Sequence, residues 1–380
     1  MAKVTKAVRG WGSPSRYFQG AGLLQELHTY TANYGQKTLA IIDQFFYEKM
    51  TVELKAAFAK TGAEIETQVF NSEVTAERVQ KAADQARAFD PDVVVAIGGG
   101  KTIDTAKAVA DLLKRPIIVA PTSASTDAPT IALSVMYSEE GEHLCARLYN
   151  KNPDIVLVDS QIIADAPVRF LVAGMGDALS TVFEARANVQ SDSTNYVSGG
   201  YRRTKTGTAI AELCYEMLLK NGEKAMLAAR RHVVTEALED IIEVNTLMSG
   251  LGVENNGCSG SHSICEGISV LPEDKKTFHG EKVGFGVICQ LIAENAPLEL
   301  LDEVVTFCIK VGLPVTLDDL HIKGTPENIQ AIAEHSMKSY WDTEPFYVDA
   351  NIVAAAIAAA DELGAEYKER LGADPAYSRQ

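Results

Sequence analysis

Over the first 160 residues, short runs of apolar and β-branched positions alternate with stretches whose apolar residues recur every three or four places. Residues 39–43, 64–70, 92–98, 117–120 and 155–158 read as strands, and residues 47–61, 75–89 and 102–113 as amphipathic helices. Strand and helix in alternation predict a parallel sheet covered on both faces, and the unbroken apolar run from Val93 to Ile97 suits a central strand of it. Residues 131–149, interrupted by Glu139, Glu140, Gly141 and Glu142, read as a hairpin beside that sheet. Past Asp165 strand signals nearly vanish. Alanine-, leucine- and glutamate-rich helical patterns take over, among them residues 178–189, 207–221, 225–250 and 351–368. The expected fold class is α/β: an N-terminal parallel-sheet dinucleotide-binding domain over residues 1–165, plus a C-terminal all-helical domain over 166–380. The cleft between them is the expected meeting place of cofactor and substrate.

Composition narrows the function. At 380 residues, 46% hydrophobic and 23% charged, the chain is long enough for two well-filled cores and ordinary for a globular protein. A net charge of -16 repels phosphate backbones and anionic membranes, so nucleic acid is not an expected partner. No apolar stretch approaches the roughly 20 residues of a membrane span, and residues 1–12 lack the apolar core of a secretory leader. A cytoplasmic location is the expectation. The six cysteines contain no C-x-x-C pair and read as reduced thiols, mostly buried.

Candidate chemistry begins where strand 92–98 runs into Gly98, Gly99, Gly100, Lys101 and Thr102 ahead of a helix. Glycines at a helix N-terminus let the backbone and its free amides approach a pyrophosphate. The run is neither a Walker loop, which would need glycine at Val95, nor the G-x-G-x-x-G fingerprint, which would need it at Ile103. A tight turn without a ligand suits the same residues. Asp43, ending the strand 39–43, is placed to bond ribose hydroxyls and repel a 2′-phosphate, favouring NAD over NADP; acids there also serve as turn formers. Of seven histidines, His262 and His279 lie among small residues, and Asp177 follows Gly174 and Gly176 at what reads as a helix start. Two imidazoles and a carboxylate with an open position make the ligand set of a catalytic divalent metal such as zinc. The spacing is not local, and an N-cap role suits Asp177 equally. The other histidines read as surface or structural.

The segments from Ile97 to Lys107, from Ala120 to Pro129, from Gly176 to Leu179 and from Phe278 to Val283 occur in an order that resembles the iron-containing, or group III, metal-dependent alcohol dehydrogenases, in particular their glycerol dehydrogenase branch. The resemblance runs from roughly residue 10 to 370. It implies a dehydroquinate-synthase-like fold and assigns Asp177, His262 and His279 as metal ligands that also hold substrate. Asp43, Gly99, Gly100, Lys101, Thr102, Ile103, Asp104, Thr122, Ser125, Ile131, Leu133 and Tyr137 become NAD contacts, and Asp127 holds a substrate hydroxyl away from the reacting carbon. The implied activity is oxidation of glycerol, or a related small vicinal diol, to the hydroxyketone by a homo-oligomer. Three positions depart from the family pattern. Thr181 stands where iron-dependent members carry a histidine, which favours zinc over iron; Cys265 stands where a second histidine is frequent, with Glu266 next to it; Ile131 replaces a small polar residue. A same-fold cyclase acting on a phosphorylated sugar acid would need several basic side chains, and Lys282, Arg202, Arg203 and Lys205 are the few at hand. A non-catalytic NAD sensor is the alternative from another class.

Overall fold

The computed structural model describes residues 7–372 apart from Glu140, Glu142 and the side chain of Asp274. Part of the expected hairpin turn, the first six residues and the last eight therefore lie outside the described residues. Among the described residues there are eight strands: β1 Arg16–Gly20, β2 Lys37–Asp43, β3 Glu64–Phe70, β4 Val93–Gly98, β5 Ile117–Pro121, β6 Leu133–Tyr137, β7 His143–Leu148 and β8 Ile155–Asp159. Six form one parallel sheet in the order β1-β8-β5-β4-β2-β3, while β6 and β7 pair antiparallel as a separate hairpin. β1 was not visible in the apolar pattern. Its sequence RYFQG has no β-branched residue, and it forms a half-exposed edge held by register with β8 from Arg16↔Ile155 to Gly20↔Asp159.

The alternation along the central strands divides the apolar residues between two cores. Ala40, Ile42, Val93, Val95 and Ile97 face Leu54 and Phe58 of helix Gln44–Ala59. Leu39, Ile41, Val94 and Ala96 face the other way, into a core that continues through Val109 to Met175, Leu179 and Phe285 of the helical half. One cluster therefore spans the sheet and the helices behind it.

After β8 the described residues are helical or irregular. The expected helix over 225–250 is broken once and then interrupted by a π-turn. Lys205–Ala229 ends, His232 takes a left-handed conformation with φ 56°, and Thr235 caps Glu236–Glu243 by accepting from Leu238 N. The chain then widens into a π-turn over Val244–Met248 before Ser249–Asn256. A further difference concerns Asp177. It lies in the interior of helix Val168–Ser191 rather than at a helix start. Gly174 and Gly176 read as breakers because glycine weakens an isolated helix, but here they admit neighbouring backbone. A Cβ at Gly174 would stand 1.9 Å from Ala124 O, and one at Gly176 would stand 2.2 Å from Gly280 O. The N-cap reading of Asp177 is thereby excluded.

Candidate active site

β2 leads outward to β3, and β4 then returns to the opposite side of β2, so the winding reverses between β2 and β4. In open parallel sheets, the crevice beyond the strand ends at such a reversal is where ligands bind. Asp43 ends β2 and Gly98 ends β4, with Ile42 opposite Ile97 in register. Gly99 caps helix Gly100–Leu113, and a Cβ on Gly98 would lie 2.6 Å from Thr102 Oγ1, so only glycine lets this helix start so tightly over its strand. Asp43 fills the turn-forming role considered from the sequence. One carboxylate oxygen accepts from Phe45 N, capping helix Gln44–Ala59, while the other lies 3.4 Å from Thr102 Oγ1 beside the glycine turn.

The remaining expected cofactor positions separate into groups. Thr122 N donates to Gly98 O, and Ser125 Oγ lies 3.2 Å from Ser123 Oγ, which places the loop after β5 against the turn. Lys101 pairs with Glu73 at 2.6 Å and rests over the Tyr137 ring, reaching from turn to hairpin. Ile103 and Asp104 point elsewhere. Ile103 is core, and the Asp104 carboxylate accepts from Val135 N with Lys107 Nζ 3.7 Å away. Burial pushes the Asp104 carboxyl up to about 6. Ile131 lines a cavity of about 360 Å³ shared with Lys114, Arg115 and Tyr149, and Leu133 offers its carbonyl to Lys107 Nζ. Lys107 was missed from the sequence; its buried ammonium also reaches Ala128 O and so ties loop, hairpin and helix together.

The loop after β5 ends at a second cluster. Asp177, His262 and His279 come from three helices, with donor atoms all within 4.8 Å of one another. Asp177 Oδ1 lies 3.6 Å from His262 Nε2 and 3.5 Å from His279 Nε2. It is buried with no hydrogen-bond partner, whereas Oδ2 accepts from Asp127 N at 3.3 Å. A buried bare carboxylate oxygen facing two imidazole nitrogens suits a divalent cation. Burial pushes the Asp177 carboxyl up, but the two imidazoles outweigh it and hold the group well below the usual carboxylate range. Asp127 moves the opposite way, raised by burial and by the neighbouring Asp177 charge.

Known proteins resemble this chain in sequence and share its fold over most of its length. The family model for iron-containing alcohol dehydrogenase matches residues 14–160. The glycerol dehydrogenase of Citrobacter freundii is 41% identical over 368 residues, covering 94% of this chain and 98% of the relative. The chain belongs to the iron-containing alcohol dehydrogenase family. The crystal structure of glycerol dehydrogenase from Schizosaccharomyces pombe superposes with a TM-score of 0.92 at 32% identity, covering 98% of this chain and 95% of that one. The glycolaldehyde reductase of Halobacterium salinarum is 37% identical over 362 residues, 94% of this chain and 98% of the relative. The enzyme is thus an oxidoreductase, an NAD-dependent alcohol dehydrogenase. No helix among the described residues is long and apolar enough to cross a membrane.

Two further features of this alcohol dehydrogenase escaped the sequence. Glu184, fully buried, accepts from His262 Nδ1 at 2.7 Å with one oxygen and from Ser259 N and His262 N with the other. A signal existed: Glu184 lies seven residues, two turns, past Asp177 on one helix, so both acids share a face. His143, read as structural, pairs with Glu266 at 3.4 Å and joins the hairpin to helix Gly260–Ile268. Thr181 bonds Ser249 Oγ at 3.3 Å and packs on Gly252, so its position supplies no ligand. Of the six thiols only Cys145 is exposed, and none forms a disulfide.

Proposed function

We propose that this dehydrogenase oxidises glycerol, or a closely related small vicinal diol, to the hydroxyketone, with hydride passing to NAD. The observation that carries the reading is the bare Asp177 Oδ1 faced by His262 Nε2 and His279 Nε2 next to the loop that also touches the glycine turn. A divalent cation held by these three residues, zinc in our reading, supplies Lewis-acid polarisation of a hydroxyl oxygen. NAD along Asp43 and the turn Gly99–Thr102 supplies the hydride acceptor.

The chain's own residues do the rest by position. Glu184 accepts a hydrogen bond from His262 Nδ1–H, which keeps that proton on Nδ1 and the Nε2 lone pair free toward Asp177. Asp127, its backbone bonded to Asp177, has the carboxyl that would hold a second substrate hydroxyl in this reading, fixing which carbon is presented to the nicotinamide. Lys107 and Asn245 hold the loop bearing Asp127, Lys107 through Ala128 O and Asn245 through Ala124 O. Three nitrogen and oxygen ligands with an open position favour zinc, and Thr181 adds no imidazole.

The test is Asp177→Ala. Glycerol-dependent NADH formation should vanish while NAD still quenches protein fluorescence as in the wild type; equal loss of both would make the cluster structural. A second reading, reduction of a small hydroxyaldehyde, is favoured by the 37% identical glycolaldehyde reductase. A higher kcat/KM for glycolaldehyde with NADH than for dihydroxyacetone would favour it.

A further inference from the structure

Helix Gly260–Ile268 turns one face toward the cluster: His262 stands on it, Cys265 one turn later, and Glu266 beside that. The two imidazoles are held unequally. His262 has a buried carboxylate on Nδ1 and a side chain 11% exposed, whereas His279 opens its helix with a side chain 40% exposed. The polar neighbour of His279 Nδ1 is Cys265 Sγ at 3.4 Å, and the same sulfur lies 3.9 Å from the His279 carbonyl oxygen.

We infer that Cys265 is a positioning residue for His279, its sulfur fixing the imidazole with the Nε2 lone pair turned to Asp177. The inference rests on reading Asp177, His262 and His279 as a cation site. The direction follows from the partners. A carbonyl oxygen only accepts, so it takes the S–H, and the sulfur lone pair then accepts from Nδ1–H. An imidazole with its proton on Nδ1 carries its lone pair on Nε2, which lies 3.5 Å from Asp177 Oδ1. Cys265 does not itself belong to the ligand set, because it meets the far edge of the ring. It is also buried. A thiol is a weaker acceptor than the carboxylate on His262, and this accounts for two supports of unequal strength within one site.

The experiment measures zinc affinity by competition with a chromogenic chelator, on the wild type and the Cys265→Ala, Cys265→Ser and Asp177→Asn variants. NAD-induced fluorescence quenching reports folding of each. Cys265→Ala should bind zinc about tenfold more weakly. Cys265→Ser, whose hydroxyl donates and accepts as the thiol does, should restore affinity, with NAD quenching unchanged in both. Wild-type affinity in Cys265→Ala, with Asp177→Asn impaired, overturns the role of Cys265 alone. Equal weakening in the alanine and serine variants also overturns it, since side-chain volume rather than hydrogen bonding would then matter. Equal zinc affinity in the wild type and Asp177→Asn overturns the cation site, and this inference with it.

Discussion

Replacing Glu184 by glutamine separates two jobs that one carboxylate performs. Its Oε1 accepts from Ser259 N at 2.8 Å and His262 N at 2.9 Å, at the start of a helix whose N-cap Ser259 makes no side-chain cap of its own. Its Oε2 accepts from His262 Nδ1. Glutamine keeps an oxygen for the backbone amides but turns an NH2 toward Nδ1. The ring must then accept at Nδ1 and carry its proton on Nε2, where a cation needs the lone pair. Loss of such a support costs about 10–100-fold in metal affinity, or about 1.4–2.7 kcal/mol. Alanine would also strand two buried amides at about 1–3 kcal/mol each, so it should destabilise the fold by about 2–6 kcal/mol. Zinc competition and thermal unfolding measure the two effects separately. Wild-type zinc affinity in Glu184→Gln would refute the reasoning, as would unfolding of both variants at one temperature.

Asp43→Asn keeps the oxygen that caps Phe45 N but removes the charge, so the ratio of kcat/KM for NADP over NAD should rise about tenfold or more; an unchanged ratio would mean the strand end does not meet the ribose. Gly174→Ala places a Cβ 1.9 Å from Ala124 O and 2.4 Å from Asn245 Nδ2, so calorimetry should show a loss of about 1–3 kcal/mol, with turnover falling as the Asp127 loop shifts. Burial pushes the Glu254 carboxyl up to about 7 from an ordinary 4.5. Its contribution to stability is therefore fully present below about pH 4.5 and lost as pH rises through 7. Between pH 4 and 8, Glu254→Gln should gain on the wild type by up to about 3 kcal/mol in urea unfolding; parallel curves would contradict the buried charge.

How much of this was legible in the sequence depended on distance along the chain. β3 spans the residues 64–70 expected of it, and the glycine turn could be placed because strand, glycines and helix are consecutive. β1 escaped because an edge strand buries too little of RYFQG to leave an apolar signature. The triad is drawn from three helices, so its spacing carries no local pattern. Small neighbours and residue type single its members out as candidates, and the resemblance assigns them to one ligand set. Asp177 in particular was misplaced, because two glycines read as a break until Ala124 and Gly280 are seen filling the space they leave. Glu184 and Cys265 were unassigned for the same reason. Their roles depend on which imidazole each meets, and that is decided by helix packing.

The most direct test of the central claim is the initial rate of NADH formation from glycerol and NAD on protein stripped of metal by chelation, and again after zinc is restored. The stripped protein should show no rate and zinc should restore it fully, with neither state active in Asp177→Ala. An undiminished rate in the stripped protein would contradict a cation at Asp177, His262 and His279.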